Sequence, residues 1–359
     1  MTTKAATRLS RILLWLTAVG AAAALAAGCG YPTSLAGSTA GGGAVTAAIS
    51  DGPYTLLQEP QAGYGAITQL ITHATTSVAI TMYELADRDV EQALIDARSR
   101  GVAVTVVLDA AWHGRTVNQA AYDRLTAAGL NITWAPAGTI VHEKAIVIDD
   151  STAIVSTANL QSRYYTTSRD ALIKTTDPTA VSAIGATIHG DFAAAGTGRL
   201  SQARPAPSLI WSPAARAAFI QTITAAQHSV DLTSEEFKDR AVQIAVTHAV
   251  QRGVACRMVL NSDAATTAAV SAVEQAGCSV HVLPKSVTGL YMHEKAIITD
   301  AQTPAQATLV IGSQNISTRS LTQNRELSIK LDSRAAPNIV AACEAQFAED
   351  YNKTSAAKP

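Results

Sequence analysis

Two histidines, two lysines and two asparagines recur at matching positions and are the side chains best suited to chemistry. An H-x-K-x4-D pattern occurs twice, and an asparagine follows each copy. The two sets are His142, Lys144, Asp149 and Asn159, and His293, Lys295, Asp300 and Asn315. Each set offers an imidazole, an ammonium group and a carboxamide, so two matching half-sites predict one shared active site.

These residue types suit phosphoryl transfer. Displacing an alcohol from a phosphodiester requires a nucleophile and a proton donor on opposite sides of phosphorus, which two half-sites related by a pseudo-twofold axis supply. One imidazole would attack and the other would protonate the leaving oxygen, while the lysines and asparagines hold the non-bridging oxygens. An ammonium group has no lone pair for a metal, and no Cys/His spacing suggests zinc. We therefore expect no metal or other cofactor.

The two aspartates of the pattern should play a different part. Residues two apart on a strand face the same side, so His142 and Lys144 project together. Asp149 is seven positions from His142 and should face the other way. We therefore expect Asp149 and Asp300 to support the strand ends by hydrogen-bonding backbone groups or a distant cation.

The doubled pattern resembles the two HKD motifs of the phospholipase D superfamily, and the resemblance covers essentially all of residues 54 to 351. The second copy has that family's Gly-Ser-x-Asn at Gly312-Ser313-Gln314-Asn315, whereas the first reads Ser156-Thr157-Ala158-Asn159. The resemblance implies a covalent phosphohistidine, which water or a second alcohol resolves. By family analogy, His142 would be the nucleophile.

An acid lies in the loop that follows each asparagine, Asp170 in the first copy and Glu326 in the second. Each would accept a hydrogen bond from a histidine Nδ1, which fixes the tautomer and leaves Nε2 facing phosphorus. The remaining histidines are expected to be packed or partly exposed structural residues. They are His73, His113, His189, His228, His248 and His281.

A gap-free internal repeat matches the doubled pattern. Residues 76–109 align with residues 228–261, which indicates duplication of a complete structural unit. Each unit alternates helices with short strands rich in valine and isoleucine. We expect an α/β fold of two mixed sheets flanked by helices, related by a pseudo-twofold axis around one shared active site. Glu84 and Glu236 are equivalent in the repeat, where they either line the site or face solvent.

Composition divides the chain into segments. Residues 30–52 are dominated by Gly, Ala, Ser and Thr, which predicts a flexible linker, and Arg204-Pro205-Ala206-Pro207 marks a second linker. The expected segments are a signal peptide at 1–29, a linker at 30–52, an N-terminal half at 53–198, a linker at 199–208, a C-terminal half at 209–351 and a disordered tail at 352–359.

The first segment has the features of an export signal. Lys4, Arg8 and Arg11 precede an uncharged apolar stretch at residues 12–25, and Ala26-Ala27-Gly28-Cys29 resembles a bacterial lipobox. We expect Cys29 to be lipidated, which would make the enzyme an extracytoplasmic lipoprotein held at a membrane surface. A secreted form and an uncleaved single anchor are the alternatives.

Charge argues against a nucleic-acid partner. The formal net charge is -1 and the pI is near 6.7, so no strong basic field draws nucleic acid from a distance. With 48% hydrophobic residues, the chain can bury a sizeable core. We expect a monomer.

Three cysteines remain after Cys29. Cys256 and Cys278 stand at the starts of two predicted strands, and neighbouring parallel strands lie about 4.8 Å apart, within the span of a disulfide. If these strands adjoin, export should oxidise the pair. Cys343, in a predicted C-terminal helix, would remain a buried free thiol.

These observations favour an exported phospholipase D-like phosphodiesterase that cleaves or exchanges phospholipid headgroups, because a lipidated enzyme meets that substrate at high local concentration. Three alternatives stay open: a nuclease of the same superfamily, a cardiolipin synthase-like phosphatidyltransferase, and a phosphate-binding protein that has lost turnover. The neutral charge disfavours the nuclease. The intact histidines, lysines and asparagines disfavour the binding protein.

Overall fold

The computed structural model describes residues 48–261, 268–283, 289–303 and 305–356. The expected signal peptide with Cys29 and most of the linker after it lie outside these residues. The strands of the first half are β1 (Ile49–Asp51), β2 (Tyr54–Glu59), β3 (Ser77–Met82), β4 (Leu85–Ala86), β5 (Ala103–Leu108), β6 (Asn131–Trp134), β7 (Lys144–Ile148), β8 (Thr152–Ser156), β9 (Leu160–Gln161) and β10 (Ser168–Thr175).

The second half repeats this pattern of strands. They are β11 (Leu209–Ser212), β12 (Ser229–Ser234), β13 (Ala255–Leu260), β14 (Ser279–Val282), β15 (Tyr291–Met292), β16 (Ala296–Thr299), β17 (Thr308–Gly312), β18 (Glu326–Asp332) and β19 (Ser355–Ala356). The helices are α1 (Gly65–His73), α2 (Arg88–Ser99), α3 (Gly114–Ala127), α4 (Pro178–Ala194), α5 (Ala215–Ala225), α6 (Arg240–Gln251), α7 (Ala268–Ala276), α8 (Thr318–Thr322) and α9 (Pro337–Lys353).

The two large sheets share one strand order. It is β2-β10-β8-β7-β3-β5-β6 in the first sheet and β11-β18-β17-β16-β12-β13-β14 in the second. In both sheets three strands run parallel, and the strand that follows the H-x-K residues lies antiparallel beside them. The predicted duplicated α/β fold with two mixed sheets is confirmed.

Equivalent helices begin and end in the same way in the two halves. Asp87 caps α2 and Asp239 caps α6, because each side chain accepts hydrogen bonds from two backbone N–H groups of the first turn. Gly101 and Gly253 follow these helices with φ of 93° and 89°, a left-handed conformation that glycine adopts without strain. The repeat therefore preserves local stop signals as well as core positions.

A core between the sheets joins the two halves. Ile184 of α4 and Phe347 of α9 belong to the same buried cluster as Val147 of β7 and Ile298 of β16. Two further clusters lie under the outer helices, one in each half. Because the central cluster draws on both halves, neither half can bury its apolar surface alone.

The aspartate of each H-x-K-x4-D pattern binds the loop that leads into the first parallel strand of its half. Asp149 accepts hydrogen bonds from the backbone N–H groups of residues 75–77, and Asp300 from those of residues 227–229. Burial alone would raise the pKa of Asp149, but these N–H groups lower it below its usual range. Both aspartates therefore hydrogen-bond backbone groups at the ends of their strands.

The structure corrects the expected edges of the two halves. Residues 49–51, expected in the linker, form β1 and pair with β2. Residues 352–356, expected in a disordered tail, complete α9 and form β19, which pairs with β14. These edges are held by backbone hydrogen bonds, which composition does not record.

Among the residues described, no helix is both long and apolar enough to cross a membrane.

The predicted disulfide is confirmed. Cys256 lies in β13 and Cys278 directly precedes β14, its parallel neighbour, and the two residues are bonded. Cys343 is a buried free thiol in α9, and burial raises its pKa well above the usual value. The second half therefore has a covalent tie that the first half lacks at Val104 and Leu130.

Reduction of the disulfide should lower the melting temperature by several degrees. The bond closes a loop with a sequence separation of 22, for which chain-entropy estimates give about 3 kcal/mol. Calorimetry of oxidised and reduced protein lacking residues 1–29 measures this shift. Thiol titration of the denatured, unreduced protein should find one thiol, and a count of three would contradict the bond.

Candidate active site

A pocket of about 880 Å³ lies where the two halves meet. His142 and Asn159 of the first half line it together with His293 and Asn315 of the second. The structure therefore brings both copies of the sequence pattern to a single cavity.

The imidazole of each half is held by a carboxylate of the other half. His142 Nδ1 lies 2.8 Å from Glu326 Oε2, and His293 Nδ1 lies 2.8 Å from Asp170 Oδ1. With Nδ1 occupied in this way, the Nε2 atom of each ring is the one available to a substrate. The sequence predicted both acids but did not indicate that each serves the opposite half.

Backbone hydrogen bonds between the halves bring each histidine next to the acid of the other half. The N–H of Glu143 donates to the carbonyl of Arg325 at 3.0 Å, and the N–H of His293 donates to the carbonyl of Arg169 at 3.2 Å. Strand β15, just before His293, also pairs in parallel with β10. Both histidines were expected on strands, but they lie in extended segments just before β7 and β16. Ile140 and Glu143, which flank His142, and His293 itself form backbone hydrogen bonds to the other half.

The two acids stand on strands, not in loops as expected. Asp170 is in β10, which pairs with β2 and β8, and Glu326 begins β18, which pairs with β11 and β17. Since each acid-bearing strand is bonded on both sides, its carboxylate is fixed in position. A rigid strand places a hydrogen-bond acceptor more accurately than a loop does.

Polar side chains hold both acids in the ionised form. Asp170 accepts hydrogen bonds from Thr157 and Ser168 at 2.6 Å, and Glu326 accepts from Ser320 at 2.6 Å. Burial alone would raise the pKa of each acid. The facing imidazole and the nearby lysine outweigh that effect, so the pKa of both acids lies below its usual value.

Buried arginines next to these acids cross between the halves as well. Arg169 Nε lies 2.7 Å from Asp350 Oδ2 of α9, and Arg325 Nε lies 3.0 Å from Asp191 Oδ2 of α4. Removal of one partner would leave a buried unpaired charge, at a cost of about 3–5 kcal/mol. The arginines therefore anchor the acid-bearing strands to the helix of the opposite half.

The lysines lie buried behind the histidines. Lys144 Nζ donates to the carbonyl of His142 at 2.7 Å, and Lys295 Nζ donates to that of His293. Burial, followed by the charge of Lys295, lowers the pKa of Lys144 to about 7. A buried ammonium group at this position gains strongly from a negatively charged phosphoryl group.

Each asparagine contacts a glutamate, and the sequence indicated only one of the two, Glu84. Asn159 Nδ2 lies 3.1 Å from Glu84 Oε2, and Asn315 Nδ2 lies 3.3 Å from Glu235 Oε2. The repeat pairs Glu84 with Glu236, and both line the pocket, but Glu236 forms an ion pair with Lys238 at 2.9 Å. Two adjacent glutamates were the only sequence signal for Glu235, and the repeat favoured its neighbour.

Two residues that line the pocket, Tyr83 and His113, were not predicted as part of the site. The ring of Tyr83 meets His142 edge-on at 4.6 Å and lies 4.9 Å from Lys144 Nζ. His113, expected to be structural, lines the pocket, and its Nε2 lies 2.5 Å from Glu84 Oε1. Neither residue has a counterpart of the same type in the second repeat, so the duplicated pattern did not reveal them.

Comparison with known proteins agrees with this geometry. The family model described as a cardiolipin synthase, PLD-like domain, matches residues 67–191 and 219–351, more than half of the chain. The minor cardiolipin synthase of Bacillus subtilis is 32% identical over 115 residues, which are 31% of this chain and 29% of that protein. Cardiolipin synthase A of Pseudomonas aeruginosa is 34% identical over 143 residues, 38% of this chain and 28% of that protein. The aligned parts thus span less than a third of these relatives.

Solved structures share the fold at lower identity. Phosphatidylserine synthase from Haemophilus influenzae superposes with a TM-score of 0.62 at 12% identity, covering 86% of this chain and 88% of that one. Polyphosphate kinase from Porphyromonas gingivalis gives a TM-score of 0.61 at 17% identity, covering 82% and 50%. At these identities the similarity shows the fold alone.

Because each histidine is held by an acid of the other half, substitutions in the two halves should have strongly non-additive effects on activity. His142→Ala and His293→Ala should each reduce kcat/KM at least about 10³-fold, and the double variant should be little worse, because either loss disables the single site. Glu326→Gln should impair the wild-type enzyme but change nothing further in His142→Ala. Rates on a phosphodiester with a poor leaving group test this. Full additivity of the two histidine losses would contradict a shared site.

The pKa shifts predict a bell-shaped pH profile. His142 must be neutral to attack, and burial, followed by Lys144, lowers its pKa below the ordinary value, so kcat/KM should rise as pH rises through that pKa. Lys144 must stay charged, and its pKa is lowered to about 7, so kcat/KM should fall again above that pH. A flat profile between about pH 5 and pH 8 would count against this assignment when chemistry limits the rate.

Proposed function

Because the chain belongs to the phospholipase D-like family, we propose that it is a phosphatidyltransferase of the cardiolipin synthase type. It would exchange the alcohol of a phospholipid through a phosphohistidine. One observation carries this proposal: His142 and His293 enter one pocket from opposite halves, each with Nδ1 held by an acid. The curated relatives are cardiolipin synthases, which favours transfer over hydrolysis.

The surroundings of the two imidazoles support different roles for them. Burial, followed by Lys144, lowers the pKa of His142, so this ring is neutral at neutral pH and suited to attack. The carboxylate of Glu235 lies 3.7 Å from Nε2 of His293, whereas the ring of Tyr83 packs against His142. We therefore assign His142 as nucleophile and His293 as general acid.

The two half-reactions balance around these atoms. Nε2 of His142 bonds to phosphorus, the bond from phosphorus to the leaving oxygen breaks, and Nε2 of His293 gives its proton to that oxygen. An incoming alcohol then returns a proton to His293 while its oxygen attacks phosphorus and the P–N bond breaks. Lys144, Lys295, Asn159 and Asn315 would hold the non-bridging oxygens in both steps.

The rim of the pocket supports a lipid substrate. Trp112 and Tyr164 line it with 75% and 43% of their surface exposed. The guanidinium of Arg319 lies 5.9 Å from the Trp112 ring, and that of Arg163 lies 4.5 Å from the Tyr164 ring. Exposed aromatic rings next to arginines suit the interface of an anionic bilayer, where the rings meet acyl chains and the cations meet phosphates.

Purified protein should convert phosphatidylglycerol in vesicles to cardiolipin and glycerol, with and without EDTA, because the lysines supply the positive charge. Mass spectrometry of the lipids identifies the product, and His142→Ala serves as the inactive control. Release of phosphatidic acid without cardiolipin would replace transfer with hydrolysis. Cleavage of DNA with no lipid product would favour a nuclease.

A further inference from the structure

Glu235 lies against the phosphate-binding atoms of the second half-site. Its Oε2 atom is 3.3 Å from Lys295 Nζ, 3.3 Å from Asn315 Nδ2 and 3.7 Å from His293 Nε2. Its other oxygen, Oε1, accepts a hydrogen bond from the hydroxyl of Tyr291 at 2.9 Å. A carboxylate oxygen therefore stands where the proposed reaction requires a phosphoryl oxygen.

The first half-site places its carboxylate differently: Glu84 contacts Asn159, and Tyr83 packs on His142. The repeat aligns Glu235 with Tyr83, whose ring packs on His142. Glu84, the next residue, turns instead toward Asn159, Gln161 and His113. Lys295 thus forms an ion pair with a carboxylate, whereas Lys144 Nζ lies over an aromatic ring.

The carboxylate of Glu235 is charged at neutral pH. Burial alone would raise its pKa, but Lys295 and His293 outweigh burial and lower the pKa below the usual range. Any phosphate group that enters the pocket must displace this charge or lie beside it. About a quarter of the side chain is exposed, 24%, and it lines the pocket, so it is accessible to a bound phosphate.

The charge state of the phosphate determines how much this neighbour matters. A phosphodiester carries one negative charge, whereas a phosphomonoester loses a second proton with a pKa of about 6 and carries nearly two at neutral pH. Repulsion from a carboxylate a few ångströms away grows with that charge. The penalty is therefore nearly twice as large for the monoester as for the diester.

We infer that Glu235 is a specificity-determining residue that admits monoanionic phosphodiesters and rejects dianionic phosphomonoesters. The inference rests on the proposed phosphodiester chemistry but not on the identity of the lipid. It has a direct use in that chemistry, because hydrolysis of the phosphohistidine by water yields a monoester. Such a product would leave the site instead of competing with the next substrate.

Binding of methyl phosphate and dimethyl phosphate tests this inference, because the two ligands differ by one methyl group and one ionisable proton. The measurement is the ratio of their dissociation constants, from ³¹P NMR titrations of the whole protein at pH about 7.5. Glu235→Gln keeps the size of the side chain and an acceptor for Tyr291 but removes the charge. It should strengthen methyl phosphate binding about tenfold relative to dimethyl phosphate.

Glu236→Gln is the matched control, since Glu236 also lines the pocket but pairs with Lys238 instead of Lys295. Its ratio should change much less than that of Glu235→Gln. Lowering the pH to about 5 protonates methyl phosphate once, so the difference between Glu235→Gln and the wild type should shrink. Circular dichroism and melting temperature establish that the variants are folded.

An unchanged ratio in Glu235→Gln, or an equal change in Glu236→Gln, would overturn the inference. So would a wild-type protein that binds methyl phosphate as tightly as dimethyl phosphate. Because these are binding measurements, they are independent of turnover. A shifted ratio without lipid conversion would contradict only the proposed function. Lipid conversion with an unshifted ratio would contradict only the role of Glu235.

Discussion

The carboxylate of Glu326 belongs to one half of the molecule, and the imidazole that it holds belongs to the other. Asp170 and His293 repeat this arrangement in the opposite direction. The buried pairs of Arg169 with Asp350 and of Arg325 with Asp191 cross the same boundary. Neither half contains a complete acid–imidazole pair, so the reactive geometry depends on the association of the halves, and the shared core between the sheets secures that association.

The middle residue of each H-x-K shows how closely charge is controlled around this contact. Glu143 and Glu294 are buried and do not line the pocket, and burial raises the pKa of Glu143 to about 8 and that of Glu294 to about 7. Glu143 is therefore mostly neutral at pH 7, which leaves Asp191 as the charged partner of Arg325. A second carboxylate charge there would draw the arginine away from the strand that carries Glu326.

Much of this architecture could be predicted from the sequence because duplication gives each signal twice. The repeat located the parallel strands and their helices, and the positions of Cys256 and Cys278 at two strand starts predicted the disulfide. The doubled pattern identified the two histidines and two asparagines that line the pocket. A repeat compares each half with the other, however, and carries no information on contacts between them. For that reason it could not show which acid faces which imidazole. It also concealed positions where the halves differ, such as Tyr83, His113 and Glu235.

The difference between Tyr83 and Glu235 is one that an exactly symmetric dimer could not have. Two identical subunits around a true twofold axis must place the same residue at both positions, so their two imidazoles share one environment and their roles are interchangeable. A single chain that holds both copies is free of that restriction. Tyrosine can stand beside one ring and glutamate beside the other. Because both halves belong to one chain, the two imidazoles can have different surroundings and different roles, which an exactly symmetric dimer does not allow.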